Sequence, residues 1–382
     1  MAIAYLFLLL SGSAILYYGL AVYAAIEFFS QSQKSCPADD FAFQPPITIL
    51  KPICGVDSHS YQNLVSFCQQ TYPNYQIIFG VQSELDPSIT VIQQLIQDFP
   101  QLDIQYIASH QIIGTNLKVN NLASAITLAK YDLLLLADSD VWVGPDYLHR
   151  VVQPMSDPAV GVVTCLYRSQ THGWIAAFEA LGISTDFLPG VLVARKLEGM
   201  AFALGATILI RASVLQAIGG FPAIVDYLED DLQLGHLPAQ AGHQVILSDY
   251  VVDHIMTTET LTDLLHHQTR WARGIRFARP NGYLGLIFTY GTIFSLLFLL
   301  IQGGGLGWGV LILTWTIRYA MAWLIGVKYL QDPVAQQLLW LVPLRDLMSF
   351  AFWCYSFLGN TIEWRGRKLR LVKGGKLVDI KL

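Results

Sequence analysis

The apolar residues of this chain are gathered into blocks, and three of those blocks demand a bilayer or a deep core before anything else is decided. Residues 2–29 are almost wholly apolar, long enough to cross a hydrocarbon layer of roughly 30 Å. No basic residue follows Met1 and the run exceeds a signal-peptide core, so a retained anchor is expected. Lys34 and Lys51 follow it and place its C-terminal side in the cytoplasm by the positive-inside rule. Residues 284–302 and 306–327, joined by Gly303-Gly304-Gly305, read as a transmembrane hairpin. Arg273, Arg276 and Arg279 precede it and Lys328 follows it, so both ends belong on the cytoplasmic side. Arg318 within the second arm is costly in lipid and is expected to face a protein partner or to snorkel. The third block, residues 338–358, is broken by Pro343, Arg345 and Asp346 and followed by a basic tail. A single crossing would put that tail outside, so an interfacial or re-entrant helix is expected.

These blocks explain a composition of 53% hydrophobic and only 13% charged residues, against roughly 25% charged in soluble domains. Disorder is excluded, because it needs low hydrophobicity. A net charge of −5 offers no basic footprint, so no nucleic-acid partner is expected. The five cysteines, at 36, 54, 68, 165 and 354, contain no CxxC pair, which fits neither a disulfide scaffold nor a zinc site. The expected organisation is an anchor at 1–30, a soluble domain at 41–280, a membrane region at 283–360 and a basic cytoplasmic tail at 361–382. Within the soluble block, strand-length runs at 47–50, 76–81, 103–107, 131–137 and 160–166 alternate with helical patterns at 61–70, 88–99 and 117–129. That alternation predicts an α/β fold with a mostly parallel sheet covered on both faces. Ligands then sit beyond the carboxyl ends of the strands, just after Leu50, Val81 and Ala137.

Acidic residues stand after Val81 and Ala137. The run Leu133 to Ala137 leads directly into Asp138-Ser139-Asp140, two carboxylates suited to a hard divalent cation that would neutralise a nucleotide diphosphate; turn and cap aspartates also follow strands. Asp86 follows the second strand and reads either as an acceptor for a base or ribose or as an Asp-Pro turn. Lys118, after Gly114-Thr115-Asn116-Leu117, reads as a phosphate partner or an ordinary exposed lysine. Glu229-Asp230-Asp231 crowds like charges, which raises a carboxyl pKa towards that of a general base; acids also complement a helix start. His266-His267-Gln268-Thr269-Arg270-Trp271 combines imidazoles, a guanidinium suited to diphosphate oxygens and an indole, or forms an interfacial Arg/Trp belt. The apolar segment 173–197, with Arg195-Lys196 at its end, reads equally as core and as an interfacial entry for a lipid. His254 reads as a metal neighbour or a structural histidine.

In this order, Asp86, Asp138-Ser139-Asp140, Asp230-Asp231 and Arg270-Trp271 resemble the D, D, D, (Q/R)xxRW series of inverting, membrane-bound glycosyltransferases. With Leu50-Lys51-Pro52-Ile53-Cys54-Gly55-Val56-Asp57, Tyr72-Pro73, Val81-Gln82 through Asp86-Pro87, and Trp364-Arg365-Gly366-Arg367, the chain is similar to the ceramide glucosyltransferase family over nearly its whole length. Gly114 to Val119, Val163-Thr164-Cys165-Leu166-Tyr167-Arg168 and His267 to Arg273 resemble its bacterial hopanoid branch, which transfers N-acetylglucosamine to bacteriohopanetetrol. His267, at the first position of (Q/R)xxRW, is the departure from the family pattern. The resemblance implies a GT-A-type domain on the cytoplasmic face of a membrane, a bacterial inner membrane for the hopanoid branch. It implies a UDP-sugar donor, a lipid-hydroxyl acceptor and Mg²⁺ or Mn²⁺ as cofactor. It gives Asp86 the nucleoside, Asp138 the nucleotide-sugar and, with Asp140, the metal; Lys118, His267, Arg270 and Trp271 line the nucleotide-sugar and acceptor side. Asp231 becomes the catalytic base, with Asp230 the alternative. A polyprenyl-phosphate sugar transferase, a small processive synthase and a non-catalytic sugar-nucleotide-binding protein are the competing readings.

Overall fold

The computed structural model describes residues 1–35, 41–56, 59–258 and 260–380; Cys36 and Asp57 lie outside them. The chain divides into two compact units, one of Cys36–Tyr167 with Glu198–Ile255, the other of Met1–Ser35, Arg168–Leu197 and Met256–Leu382.

The first unit is built on an 8-stranded sheet of order β3-β2-β1-β4-β7-β6-β8-β5. Its strands are β1 (Ile47–Pro52), β2 (Tyr75–Val81), β3 (Asp103–Ala108), β4 (Leu133–Ala137), β5 (Val141–Trp142), β6 (Val160–Thr171), β7 (Thr207–Arg211) and β8 (Gln244–Met256). Successive side chains of a strand point to opposite faces, and here both faces are covered. Ile47, Ile49, Ile77, Phe79 and Leu135 are buried in one core, while Leu50, Ile78, Leu134 and Leu136 are buried in another. This is why β4 reads as an unbroken apolar run, and β1 and β2 as runs broken only by Thr48, Lys51 and Gln76.

The expected mostly parallel sheet is corrected to a mixed one. β1 runs parallel to β2 and β4, and β2 parallel to β3. β7 is antiparallel to β4 and β6, and β5 is antiparallel to β8. A strand buried on both faces carries no mark of its direction, so the change after β4 leaves no trace in the apolar pattern.

The second unit holds the long apolar helices. Ala2–Gln31 and Gly304–Tyr329 are long and apolar enough to cross a membrane, as is Trp174–Glu198, which is 72% buried over its apolar window. Ser11, Ala14, Tyr18, Ala21 and Ala25 form a buried seam on the N-terminal helix, whereas Leu9, Leu16 and Tyr23 are exposed. Small residues at such spacing let helix backbones approach closely. The expected hairpin is present, turned at Gly303 and Gly304, both with φ of 61°, a conformation that a side chain disfavours. Its first arm is not continuous: Pro280–Thr289 and Gly291–Gln302 meet at a bend of 47°. The Tyr18 hydroxyl sits in that break, donating to the Thr289 carbonyl at 2.8 Å and accepting from the Gly291 N–H at 3.1 Å. An inserted side chain is a recognised cause of a helix kink.

Arg318 faces protein, as expected. It is 3% exposed, forks onto Asp346 at 2.6 and 3.2 Å, and donates to the Thr185 carbonyl at 2.8 Å. The 338–358 block contains the helix Val342–Ser356, 15 residues, about 22 Å long at 1.5 Å per residue. That is shorter than a bilayer core. The basic tail is structured as a 3-stranded antiparallel sheet of β9 (Thr361–Trp364), β10 (Arg367–Val372) and β11 (Lys376–Asp379). Arg273 and Arg276 donate to the Thr361 and Gly359 carbonyls.

Candidate active site

The parallel strands bring their carboxyl ends to one edge of the sheet unit, and that edge carries the charges. Lys51, near the end of β1, is fully buried and donates to the Asp138 carbonyl at 2.9 Å. Burial pulls its ammonium down to about 7, while Asp138 and Asp140 oppose the shift. Asp138 begins the turn after β4, where its N–H bonds the Ala206 carbonyl at 3.2 Å. Two residues on, the Ile255 N–H donates to the Asp140 carbonyl at 2.7 Å. The two acids are therefore held by their backbones, and their side chains are left for other partners.

Lys118 supplies one such partner. Its ammonium lies 2.7 Å from Asp138 Oδ1 and 3.6 Å from Asp230 Oδ2. Burial alone would lower its pKa, but Asp138 and Asp230 raise it above the ordinary lysine value. Asn116 aims this lysine. Its side-chain oxygen caps Leu117–Ala125 by accepting from the Lys118 and Val119 N–H groups, and its amide donates to Asp230 Oδ1 at 3.2 Å and to the Tyr227 carbonyl at 2.9 Å. One side chain thus fixes a helix start and orients a buried acid.

Asp230 and Asp231 open the helix Asp230–Gln240, yet their surroundings differ. Asp230 is 5% exposed and committed to Asn116 and Lys118. Asp231 is half-buried and accepts from the Leu232 N–H at 2.8 Å. Burial, reinforced by Asp230, raises its carboxyl to about 6. Beside them Tyr167, on β6, is pushed up by burial and by Asp231, Glu229, Asp138 and Asp140. Its ring meets His254 edge-on at 5.7 Å between centroids.

Asp140 offers the carboxylate best placed to accept a cation. Its Oδ1 is buried without a hydrogen-bond partner, and its Oδ2 lies 3.4 Å from His254 Nε2. Burial opposes its ionisation, but His254 overrides this and holds the carboxyl below its ordinary range. Among the described residues, no three His, Cys, Asp or Glu side chains close a complete metal cage. The carboxylates of Asp138 and Asp140 are of the type that could hold Mg²⁺ or Mn²⁺, with phosphate and water oxygens completing the shell.

The sheet unit thus gathers Lys118, Asp138, Asp140, Asp230 and Asp231. Asp86, at the end of β2, spends both oxygens on backbone: it accepts from the Gly55 N–H at 3.0 and 3.1 Å and from the Ser88 N–H at 2.9 Å. It pins two loops at the same sheet edge. His267, Arg270 and Trp271 lie on Leu261–Ala278 in the other unit, where the Arg270 guanidinium stands 5.5 Å over the Trp364 ring. Lys51, which the sequence marks only for membrane sidedness, and Asn116 and Tyr167 have no site role in the sequence reading. A lysine inside an apolar strand was the available signal for the first.

The profile of glycosyl transferase family 21 matches residues 6–377. Ceramide glucosyltransferase 1 of Caenorhabditis elegans is 26% identical over 352 residues, covering 87% of this chain and 73% of that protein. Ceramide glucosyltransferase 3 of the same organism is 26% identical over 350 residues, covering 88% and 75%. Among solved structures, a mannosyltransferase of Pyrobaculum calidifontis in complex with GDP-Man and Mn²⁺ superposes with a TM-score of 0.52 at 17% identity, covering 92% of this chain and 98% of that one. That likeness supports a GT-A-like fold.

Proposed function

The chain belongs to glycosyl transferase family 21, and from that premise we propose that it transfers a hexose or N-acetylhexosamine from a UDP-sugar to a lipid hydroxyl at the cytoplasmic face of a membrane, with inversion at the anomeric carbon. The observation that carries this reading is the sheet edge after β4. There a carboxylate with an unpartnered buried oxygen, Asp140, shares one charged cluster with Asp231, a carboxyl poised at about 6.

In the reaction the lipid oxygen attacks the anomeric carbon while the bond from that carbon to the diphosphate breaks. The hydroxyl proton passes to Asp231, whose raised proton affinity suits a general base near neutral pH. Asp230 keeps Asp231 proton-hungry and is itself neutralised by Lys118. Asp138 and Asp140 would hold the divalent cation, which supplies electrostatic stabilisation to the departing diphosphate. Lys51 fixes the backbone of Asp138. For Asp86 as nucleoside contact, and for His267, Arg270 and Trp271 as diphosphate and acceptor residues, the support is the family motif.

The relatives are named for ceramide, whereas His267 and its flanking residues resemble the hopanoid branch; we favour a hopanoid-type polyol acceptor over ceramide on that motif. Proteoliposomes given labelled UDP-glucose or UDP-N-acetylglucosamine, with ceramide or bacteriohopanetetrol, test both levels. A labelled lipid is expected, lost on chelation and restored by Mg²⁺ or Mn²⁺. No labelled lipid with any pair overturns the function; a product with ceramide alone overturns the acceptor. A polymer product would point to a processive synthase. For the metal, Asp140→Asn should abolish the divalent-ion dependence of nucleotide binding, and an unchanged dependence removes Asp140 from that role.

A further inference from the structure

The tail sheet folds back onto the last turn of Leu261–Ala278 and closes a cleft there. Gly374 and Gly375, with φ of 84° and 83°, turn β10 into β11. Gly375 packs so near the helix end that a Cβ on it would stand 3.2 Å from the Ala278 Cβ. That approach brings Lys373 to the same cleft as Arg276. The cleft holds about 330 Å³ and is walled by Arg276, Phe277, Pro280, Leu284, Phe357 and Lys373, all of the membrane unit. An apolar hollow with a few polar groups at its edge is the usual form of a small-ligand site.

Its charges are one-sided. The Arg276 guanidinium lies over the rings of Phe277 and Phe357, 4.5 and 5.4 Å from their centroids, and donates to the Gly359 carbonyl. Arg273, one turn earlier on the helix, is buried and donates to the Thr361 carbonyl. Lys373 is exposed. Among the described residues, no carboxylate stands in ion-pair range of these three cations. The acids of the tail sheet have other partners: Asp379 pairs with Arg367 at 2.6 Å, and Glu363 lies 4.0 Å from His266. Partly buried positive charge without a counter-charge is costly, and an anion from outside relieves it.

Position decides which kind of anion. Leu284 belongs to Pro280–Thr289, the first part of the bent span, and Leu284, Phe288 and Leu358 are all exposed. An apolar strip therefore leads from the cations along the span. A soluble anion has no use for such a strip, whereas a glycerophospholipid has a phosphate for one end and acyl chains for the other. Basic pockets at the cytoplasmic end of membrane helices hold anionic headgroups in this way. We propose that the cleft is a binding site for an anionic glycerophospholipid, its phosphate between Arg276 and Lys373 and its acyl chains along Leu284 and Phe288. The quaternary ammonium of a phosphatidylcholine would meet the same cations and be repelled, so the site selects lipids of net negative charge.

The full chain in a nonionic detergent, titrated with dioleoylphosphatidylglycerol or dioleoylphosphatidylcholine and followed by native mass spectrometry, tests this. Phosphatidylglycerol should bind at least about tenfold more tightly than phosphatidylcholine, and should raise the unfolding temperature in proportion to its occupancy. K373Q should lower that preference about fivefold, the worth of one basic residue at a membrane surface, whereas K373R should keep it within about twofold. The lipid-free unfolding temperature of K373Q should match that of the wild type, because Lys373 holds no ion pair among the described residues. R276Q also loses the bond to Gly359, so its effect is read as the ratio of the two lipids rather than as stability. K368Q with R370Q removes two exposed charges of β10 that do not line the cleft, and should leave the preference within about twofold. Equal binding of the two lipids, or an unchanged preference in K373Q, overturns the proposal. An equal loss in K373Q and in K368Q with R370Q overturns it too, leaving diffuse surface charge. Inorganic phosphate, compared with chloride at equal ionic strength, should not displace the lipid; displacement would make this a site for a soluble anion and overturn the lipid assignment. No turnover is measured, so the outcome is independent of the proposed function.

Discussion

The two units bury charge in opposite ways. In the sheet unit, acids and lysines are collected at the carboxyl edge of the parallel strands, where backbone hydrogen bonds hold the main chain and the side chains stay partly open. Asp138 is 33% and Asp140 39% exposed. In the membrane unit, Arg318 and Asp346 are 4% and 9% exposed, and their fork, the Thr185 carbonyl and the Thr292 hydroxyl consume their polar atoms. Charge left half-satisfied can receive a ligand. Charge fully satisfied inside a helix packing can only specify that packing. The contrast tells which residues should report on chemistry and which on architecture.

That distinction breaks first at Asp231. Asp231→Asn should reduce transfer by about 10²- to 10⁴-fold, the range for loss of a general base, while UDP binding by calorimetry stays intact; retained turnover would move the base to Asp230 or elsewhere. Arg318→Met should show the reverse profile. Leaving Asp346 buried without its partner should cost about 3–5 kcal/mol, read as a lower unfolding temperature in detergent, and adding Asp346→Leu should recover most of it. An unchanged unfolding temperature would mean that the buried fork is not what holds these helices. The third comparison is in pH. Asp231 must be ionised to accept a proton, so kcat should rise through about pH 6 and level off above it, falling about tenfold per unit on the acid side. A profile flat down to pH 5 would contradict the raised carboxyl. The smallest effect belongs to Asn116, which serves both architecture and site. Asn116→Ala removes a helix cap worth about 1 kcal/mol and frees Asp230, so stability and donor affinity should both fall slightly. A change in stability alone would assign Asn116 to the helix only.

Much of this was legible from the residues. Strands β1 to β4 and their helices are local apolar patterns, and the candidate acids fall at strand ends because the backbone turns there. Strands β7 and β8 were hidden, since Thr207–Arg211 is only 5 residues long and Gln244–Met256 mixes Gln244, Ser248, Asp249, Asp253 and His254 into its apolar run. The tail sheet hid behind its own charge: Leu369 and Leu371 are buried between exposed Lys368 and Arg370, an alternation that a count of basic residues overlooks. Arg273 and Arg276, which read as markers of membrane sidedness, also donate to that sheet at Thr361 and to Gly359 just before it. The meeting of Arg276 with Lys373 could not be found at all, because it needs the tail sheet folded back onto Ala278. Asp86 shows the converse. Its place in the motif is plain, but its bonding to Gly55 and Ser88 is visible only in three dimensions.

The membrane unit is assembled from three separated stretches of chain, and this orders its birth on the ribosome. The Tyr18 hydroxyl finds Thr289 across 271 residues, which at 5–20 residues per second is a delay of roughly 15–50 s. Throughout it, the first helix lacks the later segments Leu286–Thr289, Gly291–Gln302 and Gly304–Ala322 that pack against it in the finished unit. By Ile255 every residue of the sheet unit has been made. The sheet unit can therefore mature while the membrane unit is still waiting for its last helices and the tail sheet.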